Sequence, residues 1–181
     1  MSHAFENMPQ DPLLDYPLSV TVAGLIQAEH YRCWYNACKA MTRLPGLFFL
    51  ASYTEGWLVV PKERTIQVIE HGWITRREKR IVDPSIVLLE KEGQPLTYFP
   101  ALHFSWFQVQ ALPQDILLPL AHLLSPTNGE LGKQDYQAAY DTAMAHATQL
   151  AEASGKQIHV CPMERIITVV TTEGTIVVIR R

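Results

Sequence analysis

The sequence predicts an α+β fold, in which a helix carrying Cys33 packs on an antiparallel sheet and a C-terminal helix and small β-meander follow. Three observations predict it. Residues 32–43 place Trp34, Ala37, Cys38 and Met41 at helical spacing, and Leu44-Pro45-Gly46 ends the pattern. From Leu47 to Val109 the texture changes to β-branched and aromatic runs separated by short polar turns. Helical periodicity returns over 134–153, and three more β-rich runs come after Gly155. A chain of 181 residues is large enough for one well-buried core, so a single domain 1–181 is expected, with its core over 19–110 and an extension over 111–181.

Taken in order, residues 1–17 hold Pro9, Pro12 and Pro17 and read as an irregular lead-in. Residues 19–29 read as a short helix with Val22, Leu25, Ile26 and Glu29 on one face, weakened by Gly24. After the Cys33 helix, residues 47–53 and 56–60 read as strands divided by a bulge at Thr54-Glu55. Residues 65–75 alternate as a strand, Arg76-Arg77-Glu78-Lys79 is a charged turn, and 80–82 return as a strand that stops at Asp83-Pro84. Residues 86–90 continue apolar, 91–95 turn, and 97–109 read as one aromatic-rich strand.

The last third begins with an expected helix over 114–124, kinked at Pro119, and a turn-rich linker over 125–129. The helix 134–153 carries Tyr136, Tyr140, Ala143, Ala147 and Leu150 on one stripe, with Gly155 past its end. Residues 157–161, 165–171 and 175–180 form the meander, with Glu173-Gly174 in its tight turn. That hairpin is apolar on both faces. It must be covered by the preceding helix and sheet, or by a second copy in a homodimer.

Bulk composition narrows the function classes. A net charge of −3 gives no basic field for nucleic acid, and no apolar run reaches the length of a membrane span. Residues 1–7 lack a basic segment followed by an apolar one, so no signal peptide is expected. Three cysteines at unpatterned spacing argue against a disulfide framework and fit a reducing, cytoplasmic compartment. There is no phosphate-cradling glycine loop and no dinucleotide fingerprint, and no cofactor is expected. His30, Cys33 and His71 could be assembled into a metal site, but His-x-x-Cys without a second paired motif falls short of a zinc pattern, and no metal is expected.

The reactive side chains fall in one stretch. Cys33 opens a helix, where unpaired N–H groups and the helix dipole favour a thiolate. His71 on a strand is a base for that thiol, and Asp83 at the next strand's end is a carboxylate that could fix the imidazole tautomer. The bland alternatives are a buried filler for Cys33, a satisfied core histidine for His71 and a turn residue for Asp83. Cys38 and Cys161 read as core fillers, Asn36 as structural, and the four tryptophans mostly as core with one or two lining a groove.

Four fragments occur in order: Cys33-Trp34-Tyr35-Asn36-Ala37, Glu55-Gly56, His71-Gly72-Trp73 and Asp83-Pro84-Ser85. Together they resemble the transglutaminase-like branch of the papain-like Cys-His-Asp superfamily, whose small members read Cys-x-x-Asn-Ala, Glu-Gly, His-Ala-Trp and Asp-Pro-Thr. Gly72 stands for the usual Ala and Ser85 for the usual Thr. The resemblance spans residues 27–108 and implies a papain/transglutaminase-like core with Cys33, His71 and Asp83 as catalytic residues. It also places Gln27 at the offset of the oxyanion-hole glutamine of papain-like proteases, although the sequence around that glutamine is absent here. Glu55 and Trp73 become candidates for the cleft. The function expected is that of a cysteine-dependent acyl-transfer or amide-hydrolysing enzyme, a hydrolase or transglutaminase acting on a peptide or amide. The alternative is a catalytically inert protein-binding module on the same fold.

Overall fold

The computed structural model describes residues 13–89, 95–111, 120–161, 167–170 and 176–179, with backbone alone at 87, 89, 120–132, 167–170 and 176–179. Helices α1 (Tyr16–Ile26) and α2 (Cys33–Arg43) and the single turn α3 (Pro45–Phe48) precede strands β1 (Ser52–Pro61), β2 (Thr65–Thr75) and β3 (Ile81–Val82). The turn α4 (Ile86–Leu89), strand β4 (Thr97–Ser105), short helix α5 (Trp106–Gln110) and long helix α6 (Leu120–Ser154) follow, and then β5 (Gln157–Cys161), β6 (Ile167–Val170) and β7 (Ile176–Ile179). The chain is mixed α+β.

One long hairpin organises the sheet. β1 pairs antiparallel with β2 from Ser52 opposite Thr75 to Pro61 opposite Ile66, and β4 takes the other side of β1. The far edge of β2 is divided. β3 pairs with Ile74 and Thr75, whereas β5 runs parallel along Thr65 to Ile69. Among the described residues, 70–73 therefore have no strand partner on that side, and the start of α2 lies against the strand at this gap. A Cβ on Gly72 would lie 2.8 Å from the Tyr53 hydroxyl and 3.1 Å from the Trp34 Cα, so glycine lets helix and strand meet here.

Three apolar clusters hold these elements. Val22 and Ile26 of α1 join Ala37, Met41 and Phe48 against Tyr53 and Ile74 of the sheet. Leu58, Val60, Trp73 and Tyr98 form a second cluster with Leu14 and Ile86. In the third, Ala139, Ala143 and Ala147 of α6 lie on Trp57, Val59, Ile66 and Val68. The expected stripe on this helix is therefore its packing face, and its small residues let the helix lie close to the sheet.

Several elements differ from the sequence expectation, mostly where a local cap decided the outcome. α1 starts at Tyr16 rather than 19 because Asp15 accepts the Leu18 N–H and a proline occupies its first turn; it ends at Ile26 because Gln27 is left-handed, at φ 54°. Residues 47 and 48 are helical rather than strand, since Pro45 opens the turn α3. The strand expected over 97–109 stops at Ser105, whose side chain forms a reciprocal capping box with Gln108 and starts α5. Residues 86–89 form a helical turn.

The irregularity expected at Thr54-Glu55 lies across from it. β1 is continuous, but its register on β4 jumps from Glu55–Leu102 to Gly56–Pro100, leaving Ala101 as the extra residue. A Cβ on Gly56 would come within 2.1 Å of the Phe99 carbonyl, so the jump requires glycine. The linker expected over 125–129 is inside α6, with Pro126 and Gly129 within the helix; the described packing of α6 on the sheet comes from residues beyond 132. The meander divides, because β5 joins the main sheet parallel to β2 while β6, among the described residues, pairs only with β7. The turns expected at 91–94 and at Glu173-Gly174, and the helix start at 114–119, lie outside the described residues. Among the described residues no helix is long and apolar enough to cross a membrane.

Candidate active site

Cys33 is the first residue of α2, and the segment before it is fixed by Asn36. The Asn36 Oδ1 accepts the Glu29 N–H at 2.9 Å, and its Nδ2 donates to the Glu29 carbonyl at 2.7 Å and to the Ser85 hydroxyl at 2.9 Å. Asn36 is wholly buried, so these bonds replace all of its contact with water. Arg32, at the N-cap, supplies no side-chain acceptor, and the first N–H groups of α2 have no intrahelical partner. Their partial positive charge falls on the Cys33 end of the helix.

His71 lies in the middle of β2 beside the gap and is 3% exposed. Its Nε2 is 2.7 Å from Asp83 Oδ2, and Asp83 itself is completely buried. The carboxylate does not rely on His71 alone. Oδ2 also accepts the Tyr98 hydroxyl at 3.0 Å, Oδ1 accepts the Ser85 N–H at 2.9 Å, and the Asp83 N–H donates to the Ser19 hydroxyl at 2.9 Å. The Ser19 hydroxyl in turn donates to the Asp15 carbonyl at 2.8 Å, which links the start of α1 through Asp83 to β2. Burial alone would lower the His71 pKa. The Asp83 charge, the Cys33 side chain as nearby charge and hydrogen-bond partner, and the Asp83 hydrogen bond together hold it well above its ordinary value. Because Asp83 occupies Nε2, Nδ1 is the nitrogen left for the thiol.

Cys33, His71 and Asp83 are thus brought together, with Ser85 and Asn36 tying the Asp-Pro-Ser and Cys-x-x-Asn-Ala fragments to each other. Trp73 is 1% exposed and stacks near His71, with centroids 6.2 Å apart, so it lies in the core beneath the site rather than on an open wall. Glu55 is also interior, at 1% exposed, and accepts the Tyr53 hydroxyl at 2.6 Å. Gln27 is exposed at the C-cap of α1, and its carbonyl accepts from Lys39. Among the described residues no hydrogen bond joins its side chain to Cys33 or His71. Cys38 lies further along α2; burial first, then Glu55 and Cys33, push its thiol up to about 12. Burial also raises Cys161, on β5.

Four residues here carried no local signal in the sequence for the bonds they make. Tyr98 and Ser19 reach Asp83 from β4 and α1, and Tyr53 and Tyr136 donate to the interior carboxylates Glu55 and Glu70, both at 2.6 Å. A tyrosine in an aromatic-rich strand reads as core, and only the register of β4 beside β1 brings Tyr98 to the carboxylate. Among the described residues no group of three or more His, Cys, Asp or Glu could hold a metal ion.

Chemically, a thiol at a helix N-terminus beside an imidazole with a buried carboxylate on its far nitrogen is an arrangement that can act as nucleophile, base and orienter in series. Neither the family models, nor the curated proteins, nor the solved structures contain a match to this chain.

Proposed function

We propose that the protein is a cysteine-dependent acyl-transfer or amide-hydrolysing enzyme built on a papain/transglutaminase-like core. The observation that carries this reading is Asp83 holding Nε2 of a buried His71 while Cys33, at the start of α2, partners the same ring. In the reaction, Cys33 Sγ attacks an amide carbonyl and its proton resides on His71 Nδ1. The tetrahedral oxyanion meets the N–H groups at the start of α2. Collapse breaks the C–N bond, His71 gives its proton to the departing amine, and a thioester on Cys33 remains. Water or a second amine then attacks the thioester; His71 removes its proton and returns one to the sulfur, releasing acid or a new amide. Asp83 keeps the ring oriented and stabilises the imidazolium throughout.

Mass-resolved iodoacetamide labelling of each cysteine from about pH 5 to about 9 tests this. Cys33 should label faster than Cys38 and Cys161, whose thiols burial holds in the neutral form. His71→Ala should abolish the preference, Asp83→Asn should reduce it, and Cys38→Ser should leave it unchanged. Equal labelling of all three cysteines would remove the enzyme reading.

One observation favours the second reading, a binding module. Leu47, Phe49, Leu50 and Phe107 are each about half exposed or more, and the Phe49, Trp106 and Phe107 rings pack against one another at the surface. Contiguous exposed apolar groups of this kind mark contact surfaces.

A further inference from the structure

We infer that Tyr98 is a positioning residue of this site: by donating to the same Asp83 oxygen that holds His71, its hydroxyl sets how readily His71 releases its proton. The inference rests on the reading of Cys33, His71 and Asp83 as one proton-transfer unit. Asp83 Oδ2 accepts both His71 Nε2–H at 2.7 Å and Tyr98 Oη–H at 3.0 Å, and Oδ1 is committed to the Ser85 N–H. Tyr98 is 7% exposed and Asp83 is fully buried, so neither water nor salt screens the contact.

The two His71 protonation states feel this hydroxyl unequally. With His71 protonated, Asp83 is neutralised by the ion pair. With His71 neutral, the carboxylate is a lone buried anion and depends more on every donor that remains. Tyr98 therefore stabilises the deprotonated imidazole state more than the protonated one, and eases return of the proton to a leaving amine. It offsets the pull of Asp83, which would otherwise hold the proton too firmly for an acid–base shuttle.

The ring of Tyr98 has a separate task. It packs edge-on against Trp73 at 5.1 Å within the second apolar cluster, and phenylalanine would preserve that contact. The other titratable groups around the strand are accounted for. Cys33 faces the ring from α2; Glu55 on β1 accepts from Tyr53, Glu70 on β2 accepts from Tyr136 of α6, and Asp15 before α1 pairs with Arg76 and Arg80.

The test is an NMR titration of the His71 ring, assigned by its loss in His71→Gln, in the wild type and Tyr98→Phe, alongside Cys33 labelling. The midpoint should move upward in Tyr98→Phe by about half a pH unit or more. A folded Tyr98→Phe whose titration superimposes on the wild type, or moves downward, overturns the inference. Should Tyr98→Phe fail to fold, 3-fluorotyrosine at position 98 keeps the ring and makes the hydroxyl a stronger donor. Its midpoint should move downward, and an unmoved or raised one overturns the inference. An upward shift in Tyr98→Phe combined with equal labelling of all three wild-type cysteines would support the Tyr98–Asp83–His71 coupling while removing the enzyme reading.

Discussion

Gly72 stands between His71 and Trp73, at a point where the packing leaves no room for a side chain. The Tyr53 hydroxyl, held toward Glu55, occupies the space that an alanine methyl would need. Gly72→Ala should destabilise the fold by about 1–3 kcal/mol in urea unfolding. In a Tyr53→Phe background the same change should cost less, because the obstructing oxygen is gone; strictly additive costs would show that the crowding lies elsewhere. Asn36 makes the complementary case. Asn36→Ala leaves the Glu29 N–H, the Glu29 carbonyl and Ser85 without its bonds, and should cost about 2–4 kcal/mol. It should also slow Cys33 labelling, since the segment leading into α2 loses its anchor. Residues named by short fragments were legible in the sequence because each fragment is chemically distinctive. Tyr98, Ser19 and Tyr53 were not, because what gives them a role is a partner distant in sequence or buried geometry, neither of which leaves a local pattern.

At the scale of elements, periodicity sufficed where one face packs on one partner. β2 and α2 lie within a residue of expectation, and the α6 stripe packs as its spacing required. Expectation failed where a single cap outweighed the apolar pattern, as at Pro45 and Ser105, and where strand order mattered. Nothing in 157–161 distinguishes a meander strand from one that crosses back to pair parallel with β2, because the alternation is the same in both. That pairing has a consequence. β5 covers the edge of β2 from Thr65 to Ile69, and α6 meets the sheet through the buried Ala139, Ala143 and Ala147. Deleting residues after Ser154 should therefore expose a strand edge and give aggregated protein in size-exclusion chromatography. A monomeric truncation with a sharp thermal transition would show that β5 is dispensable. Ala143→Leu, at a fully buried position, should cost about 1–3 kcal/mol by wedging α6 away from the sheet.

For the molecule as a whole, the buried ionisable groups should make stability fall in alkali in two stages that begin at different pH. His71 is held well above its ordinary value of 6.5, with the Asp83 charge and Cys33 overcoming the effect of burial. Below about pH 6.5 the ring is protonated in both folded and unfolded chains, and the stabilisation from its proton is complete. As pH rises beyond that point the unfolded chain releases the proton while the fold retains it. Unfolding then becomes easier by up to about 1.4 kcal/mol per pH unit, until pH passes the raised folded value. Cys38 acts with the same sign at higher pH. Its thiol is pushed up to about 12 from 9.0, so above pH 9 the unfolded chain ionises a thiol that the fold keeps neutral. Urea unfolding at intervals from about pH 6 to about 10 should show both stages. His71→Gln, whatever its absolute stability, should flatten only the first stage, and Cys38→Ala only the second. A wild-type curve that His71→Gln leaves unchanged between about pH 6.5 and 9 would mean that His71 gains nothing from Asp83 in the fold.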